Sequence, residues 1–223
     1  NKMVSSNLLQ VVTKSPIDKV MYGNPQVTFF KSVYKRASNF ASNYIFRNIN
    51  SNYYRLEGKT YFNHLHTDHW CSFLWFLSNQ LHNLFNDHRD AAKIFALNKA
   101  LHGIDAYYSL KLPDIFLFVH PIGTILGKAQ YDDYLVVYQN VTVGGSIELD
   151  YPVIGKSVAL MAKSTVLGSC VINEEVWLSS NSLIQNTQIE SNRMVFGSYP
   201  NQVIKTSKRS VFDSFFSNKS THS

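Results

Sequence analysis

The sequence predicts a mainly β chain of the α+β class, in which a stacked coil of short parallel strands follows a small α-helical region. Three observations lead there. Aliphatic residues recur with a period of six from Val119 to Ile184. A helical spacing of apolar residues precedes them and stops at Gly103. The chain has 223 residues with 45% hydrophobic and 16% charged content, enough to bury a core and too apolar to stay unfolded.

The repeat carries most of the information. Val119, Ile125, Tyr131, Val137 and Val143 are spaced by six, and Ile154, Leu160, Val166, Ile172, Leu178 and Ile184 resume the same spacing after an interruption. Four residues after most of these stands a small or aliphatic residue, among them Gly123, Ala129, Val141, Val158, Ser164, Cys170, Val176 and Ser182. This pattern describes a parallel β-helix: one residue of each hexapeptide points into the core, and a small residue turns the corner. Strands of a sandwich would instead show turn signals about every 8–12 residues. From Val143 to Ile154 the spacing is eleven, so the residues from Gly144, Gly145 and Ser146 to Tyr151 must leave the coil as a loop. An excursion at one turn of a stacked rod is a common place for function.

Ahead of the coil, Trp70, Phe73, Leu74, Leu77, Leu81 and Leu84 recur at helical spacing, with Thr67 or Asp68 as the expected cap. A second helix carries Ala91, Ile94, Leu97 and Leu101, with Asp87 and Asp90 at its head and Gly103 as its stop. Residues 1–60 read as an irregular, extended arm with a turn at Asn24-Pro25 and apolar alternation at Val27, Phe29 and Val33. The expected division is therefore an arm over 1–60, a helical region over 61–103, the β-helix over 104–200 and a polar tail over 201–223.

Charge and cysteine content exclude little. A net charge of +6 favours anionic partners, but Lys205, Lys208, Arg209 and Lys219 place part of it near the C-terminus. Basic and aromatic residues are not interleaved on one face, so nucleic-acid binding is not expected. Two distant cysteines, Cys71 and Cys170, suggest no disulfide and a reducing compartment. The longest apolar run, Phe73 to Leu77, is far below the ~20 residues of a membrane span. The opening Asn1-Lys2-Met3-Val4 has no secretory pattern, so a cytoplasmic protein without membrane contact is expected.

The candidate site centres on His120 in FVHPIGTILG. Asp105 precedes it by fifteen residues, and VTVGG follows from Val141. Over roughly residues 90 to 205 these elements resemble the hexapeptide-repeat acyltransferases, and within them the serine acetyltransferase group. That family has an aspartate fifteen residues before its catalytic histidine, an H-x-x-G segment, and a V-T-[LV]-G-G ahead of an extruded loop. One residue is missing here between His120 and Gly144 relative to the family. The resemblance implies a left-handed coil, trimers or dimers of trimers with sites between subunits, and acetyl-CoA as acyl donor without a metal. It implies His120 as general base and Asp105 as the acid that holds its tautomer. It places acetyl-CoA against Gly144, Gly145, Ala162 and Ser180, with Lys163 or Lys205 near the phosphates.

Two departures bear on the acceptor. The family keeps an aspartate directly before the histidine, where this chain has Val119. It keeps an Arg-His pair after the extruded loop, where this chain has Asp150 and Tyr151. Acyl transfer to a hydroxyl is thus expected, with L-serine or, given these substrate-contacting positions, a sugar as acceptor. The alternative is a non-catalytic β-helix module for structure or interaction.

Two further segments stand apart from this reading. His64, His66 and His69 with Asp68 fit no standard zinc spacing and read as a polar helix entry. Tyr22 to Ala41 resembles the amino-terminal segment of major capsid proteins of large double-stranded DNA viruses, with no capsid domain after it.

Overall fold

Each hexapeptide forms one short strand and one corner, and three of them complete a turn of a parallel β-helix. The structure is a computed structural model that describes residues 55–56, 59–60, 62–63, 65–148 and 150–216. The turn at Asn24-Pro25, the extended residues around it and the capsid-like segment lie outside the described residues. A short antiparallel pair, β1 (Arg55–Leu56) and β2 (Lys59–Thr60), comes first.

Two helices follow. Helix α1 spans Thr67–Phe85 and α2 spans His88–His102. The N-cap of α1 is His66, with extended backbone and no side-chain cap bond. Thr67 and Asp68, the expected caps, therefore lie inside the first turn, which leaves the Asp68 carboxylate to contact another element. Asp87 caps α2 by accepting the Asp90 N–H at 3.0 Å, and Gly103 closes it at φ +64°, a conformation that favours glycine.

Helix α1 is buried on more than the face its apolar spacing marks. Cys71, Ser72, Trp75, Phe76 and Ser78 are buried along with Phe73, Leu74, Leu77 and Leu81, because α2 packs on one side and the coil on the other. Polar side chains tie these layers together. Asn98 of α2 donates to the Cys71 carbonyl at 3.0 Å, and Asn79 donates to the carbonyls of Tyr108 and Leu110 at 2.8 and 3.1 Å.

The coil has three faces. The first is six-stranded: β4 (Phe116–Phe118), β7 (Leu135–Val137), β10 (Ala159–Leu160), β13 (Trp177–Leu178) and β16 (Arg193–Phe196) run parallel, and β17 (Val203–Thr206) closes the edge antiparallel to β16. The second holds β3 (Asp105–Ala106), β5 (Ile125–Leu126), β8 (Thr142–Gly144), β11 (Thr165–Leu167) and β14 (Leu183–Gln185). The third holds β6 (Gln130–Tyr131), β9 (Val153–Ile154), β12 (Val171–Ile172) and β15 (Gln188–Ile189).

Register makes columns of like residues. Phe118, Val137, Leu160, Leu178 and Val195 stack on the first face, Leu126, Val143, Val166 and Ile184 on the second, and Tyr131, Ile154, Ile172 and Ile189 on the third. All are buried. Each aliphatic side chain so placed contributes on the order of 1.5–3 kcal/mol, but only when the rungs above and below are present. The corner residues Val141, Val158, Ser164, Cys170, Val176 and Ser182 are buried as well.

The first rung corrects the hexapeptide reading. Its inward residues are Phe118 and Leu126, not Val119 and Ile125, since Phe118 pairs with Val137 and Leu126 with Val143. Ile125 is 48% exposed, whereas Val119 is buried in the corner itself. Eight positions separate the inward residues Phe118 and Leu126, where the next rung uses six from Val137 to Val143. Only five separate Leu126 from Tyr131, which places the residue missing between His120 and Gly144 in that corner.

The C-terminal segment differs from the expected polar tail. Strand β17 and a short helix, α3 (Val211–Phe215), return along the coil, and Val211 and Phe216 are buried. Phe212 and Phe216 pack edge-on against Tyr134, and Glu175 accepts the Val211 N–H at 2.6 Å.

Candidate active site

His120 stands in an irregular corner between the first and second faces. Val119 donates its N–H to Val137 and so holds the position that Tyr138 holds one rung on, while Asn140 donates to Ile122. His120 and Pro121 are thus the two extra residues of the first rung. The bulge is tight: Ile122 N–H reaches the His120 carbonyl at 2.7 Å, and His120 has φ +48°, a left-handed conformation unusual for a residue with a side chain. Such strain is kept where the surroundings enforce it. The imidazole projects outward, with its side chain 57% exposed.

The carboxylate beside it is Asp68. Asp68 Oδ2 accepts the His120 backbone N–H at 3.1 Å and lies 3.6 Å from His120 Nδ1, across 52 residues of sequence. Its side chain is only 5% exposed. It is also flanked by Thr67, whose hydroxyl sits 3.5 Å from Oδ1.

Asp105, the carboxylate that the resemblance implies, is placed differently. The Asp105 carboxylate is paired with Lys99 Nζ at 2.5 Å, on the exposed side of β3 where its side chain is 36% accessible. Its strand lies under β5, and its backbone N–H is taken by Thr124. No spacing rule could reveal Asp68, because it reaches His120 from the first turn of a helix that packs against the coil.

The residues expected to bind acetyl-CoA fall on two different corners. Ala162, Lys163 and Ser180 share the corner of His120, two and three rungs further along, where Asn140, Lys163 and Asn181 repeat a positive φ above Gly123. Gly144 and Gly145 lie at the next corner, at the far end of β8. Within one protomer the strands of the second face lie between these two groups. Lys205 lies on β17 with Nζ 5.9 Å from the Phe196 ring centroid.

The extruded loop leaves from Gly145. Ser146 N–H bonds the Asp150 carbonyl at 2.9 Å, and a Cβ on Gly145 would stand 2.7 Å from that carbonyl and 2.8 Å from the Tyr151 ring, so the loop closes on itself only because residue 145 is glycine. Lys128 lies over the Tyr151 ring at 4.3 Å, and Asp150 is exposed. Val119 is 6% exposed and turned into the corner.

His66 and His69 stack at 4.2 Å, and His69 Nδ1 accepts the Asn63 N–H. His64 lies outside the described residues. Among the described residues, no group of three His, Cys, Asp or Glu side chains is arranged to hold a metal, and no helix is long and apolar enough to cross a membrane.

Comparison with known proteins agrees with this architecture. The chain is 27% identical over 140 residues to a serine acetyltransferase of Staphylococcus epidermidis, covering 60% of this chain and 65% of that protein. It is 28% identical over 130 residues to the Staphylococcus aureus serine acetyltransferase, covering 56% and 60%. These matches span less than two thirds of the curated relatives' length. No protein-family model matches. Among solved structures, a serine acetyltransferase in complex with cysteine superposes with a TM-score of 0.70 at 16% identity over 94% of this chain and 82% of that one. A serine acetyltransferase in complex with CoA superposes with a TM-score of 0.66 at 16% identity, over 91% and 83%.

Fold and repeat together define a hexapeptide-repeat protein built on the left-handed parallel β-helix. In sequence and in fold the chain is similar to serine acetyltransferases.

Proposed function

We propose that the chain transfers an acetyl group from acetyl-CoA directly to an acceptor hydroxyl, with His120 as general base. The observation that carries this reading is the outward imidazole of His120, set in a strained two-residue bulge of an otherwise regular coil. As the acceptor oxygen bonds the thioester carbonyl carbon, His120 takes the hydroxyl proton. When the C–S bond breaks, the imidazolium returns that proton to the CoA sulfur.

A trimeric assembly would fit the same reading. Ile122 and Ile125, on either side of the bulge's exit, are exposed apolar residues that a second copy would cover. A neighbouring copy would also bring its Gly144–Gly145 corner to the His120 corner, joining the two groups that one protomer keeps apart. Lys163, exposed on the His120 corner, is placed to meet a CoA phosphate.

Asp150 and Tyr151 end the extruded loop, and Lys128 is held over the Tyr151 ring. This set offers no bidentate partner for an amino-acid carboxylate, which favours a neutral polyol such as a sugar as acceptor. The test is release of free CoA thiol from acetyl-CoA across L-serine, free sugars and nucleotide sugars, in wild type and His120→Ala. Acceptor-dependent release that His120→Ala lowers by about 10²–10⁴-fold is expected. Undiminished release in the variant overturns the assignment, and turnover with L-serine alone overturns the acceptor class.

A further inference from the structure

We propose that Asp68 is the positioning residue of His120: the first turn of α1, not β3, supplies the carboxylate that orients the imidazole. The inference rests on the reading of His120 as the base and departs from the family pattern, which points to Asp105.

Geometry separates the two carboxylates. One oxygen of Asp68, Oδ2, receives the His120 backbone N–H at 3.1 Å and faces His120 Nδ1 at 3.6 Å. The backbone contact holds the strained residue in place. The side-chain separation is about 0.5 Å beyond a hydrogen bond, a gap that a small rotation of the ring closes when a substrate fills the site. With Nδ1–H turned toward Asp68, Nε2 is left unprotonated and outward, as a base requires. A carboxylate in that place also stabilises the imidazolium formed during transfer.

Burial makes Asp68 effective and Asp105 ineffective. Asp68 is screened from water by the junction of α1 with the coil, where its charge interacts with several groups. Besides His120 from the bulge, these are Cys71 one turn along α1 and His102 from α2. The Cys71 thiol is pushed up first by burial and then by Asp68. Asp105 is more exposed and is engaged by Lys99, whose positive charge offsets its own.

The test reads the imidazole directly and needs no acceptor. The ¹⁵N chemical shifts of His120 in unliganded protein report which ring nitrogen carries the proton at a pH where the ring is neutral. Wild type and Asp105→Asn are expected to show the Nδ1–H form. Asp68→Asn, whose amide can donate to Nδ1 as well as accept from it, is expected to lose that form, and Asp68→Glu to restore it. Retention of Nδ1–H in Asp68→Asn overturns the proposal. So does its loss in Asp105→Asn, a surface variant that decides the matter even if Asp68→Asn does not fold.

Turnover separates this proposal from the functional reading. With acetyl-CoA and whichever acceptor of the panel reacts, Asp68→Asn is expected to lower kcat about tenfold or more, with KM for acetyl-CoA nearly unchanged, and Asp105→Asn to leave both. An effect confined to KM for acetyl-CoA overturns the positioning role. If no acceptor reacts, the functional reading fails while the imidazole spectrum still decides whether Asp68 orients His120.

Discussion

Asn186 stands over Gly168: its side-chain oxygen accepts the Ser169 N–H at 3.0 Å and fills the space where a Cβ on residue 168 would lie. Gly168 adopts φ +71°, which a residue with a side chain enters only with strain. Gly168→Ala is therefore expected to destabilise by about 1–3 kcal/mol, seen as a lower Tm. Gly144→Ala is the control. Its Cβ would meet only the Leu167 side chain at 3.5 Å, an ordinary contact, so its Tm should stay near that of wild type. Equal losses in the two variants would contradict this account.

His102 makes stability depend on pH. Burial between the helices lowers its pKa from the ordinary value of 6.5, against smaller opposing effects of Asn98 and Asp68. The unfolded chain therefore binds the proton first as pH falls through about 6.5. Stability conferred by the neutral ring is present above that pH and is lost below it. Lowering pH from 7.5 to 5.5 should reduce Tm more in wild type than in His102→Gln, as measured by thermal unfolding at both values.

Both thiols should be inert in the native protein. Cys71 and Cys170 are buried, and burial pushes each thiol above its ordinary range. Treatment with a disulfide reagent at about pH 8 is expected to modify neither residue, and both after denaturation. Rapid modification of either thiol in folded protein would refute this.

Glu175 holds the C-terminal segment. Its carboxylate accepts the N–H groups of Val211 at 2.6 Å and Phe212 at 3.4 Å, at the start of α3, and Trp177 donates to the Arg209 carbonyl at 3.0 Å. Glu175→Ala leaves these helix-start donors without their acceptor, at a cost of about 1–3 kcal/mol. Limited proteolysis should then cut between residues 207 and 216 while the rungs stay protected. Unchanged protection in that stretch would rule out the anchoring role.

The coil was legible because a period of six is imposed separately on every rung, and Val137 through Ile184 keep it except across the loop between Val143 and Ile154. The first rung misled because two errors mimicked the pattern. Val119 and Ile125 are both aliphatic and six apart, yet the bulge at His120–Pro121 lengthens that corner by two, and the true inward pair, Phe118 and Leu126, flanks them. The missing residue before Tyr131 offsets only one of the two, so Phe118 and Tyr131 stand thirteen apart, and the aliphatic Val119 just after Phe118 hides the difference.

The site divided in the same way. His120 was visible from its motif, and its outward direction survives the shift in register. Asp68 was not, because its contact is made through space by a helix whose docking on the coil is set by aromatic packing, with Phe76 stacked on Phe116 at 5.3 Å. The C-terminal helix was hidden by its polar neighbours, since four apolar residues, Val211, Phe212, Phe215 and Phe216, suffice to seat it.

The two ends of the six-stranded face have a consequence for solubility. A rod of parallel rungs ends in unpaired backbone groups on which another copy could nucleate, and repetition would give a fibre. Here β17 reverses direction across β16 at one end, and Trp75 and Phe76 of α1 lie against Phe116 of β4 at the other. Polymer growth along the axis is blocked on this face by one reversed strand and one buried helix.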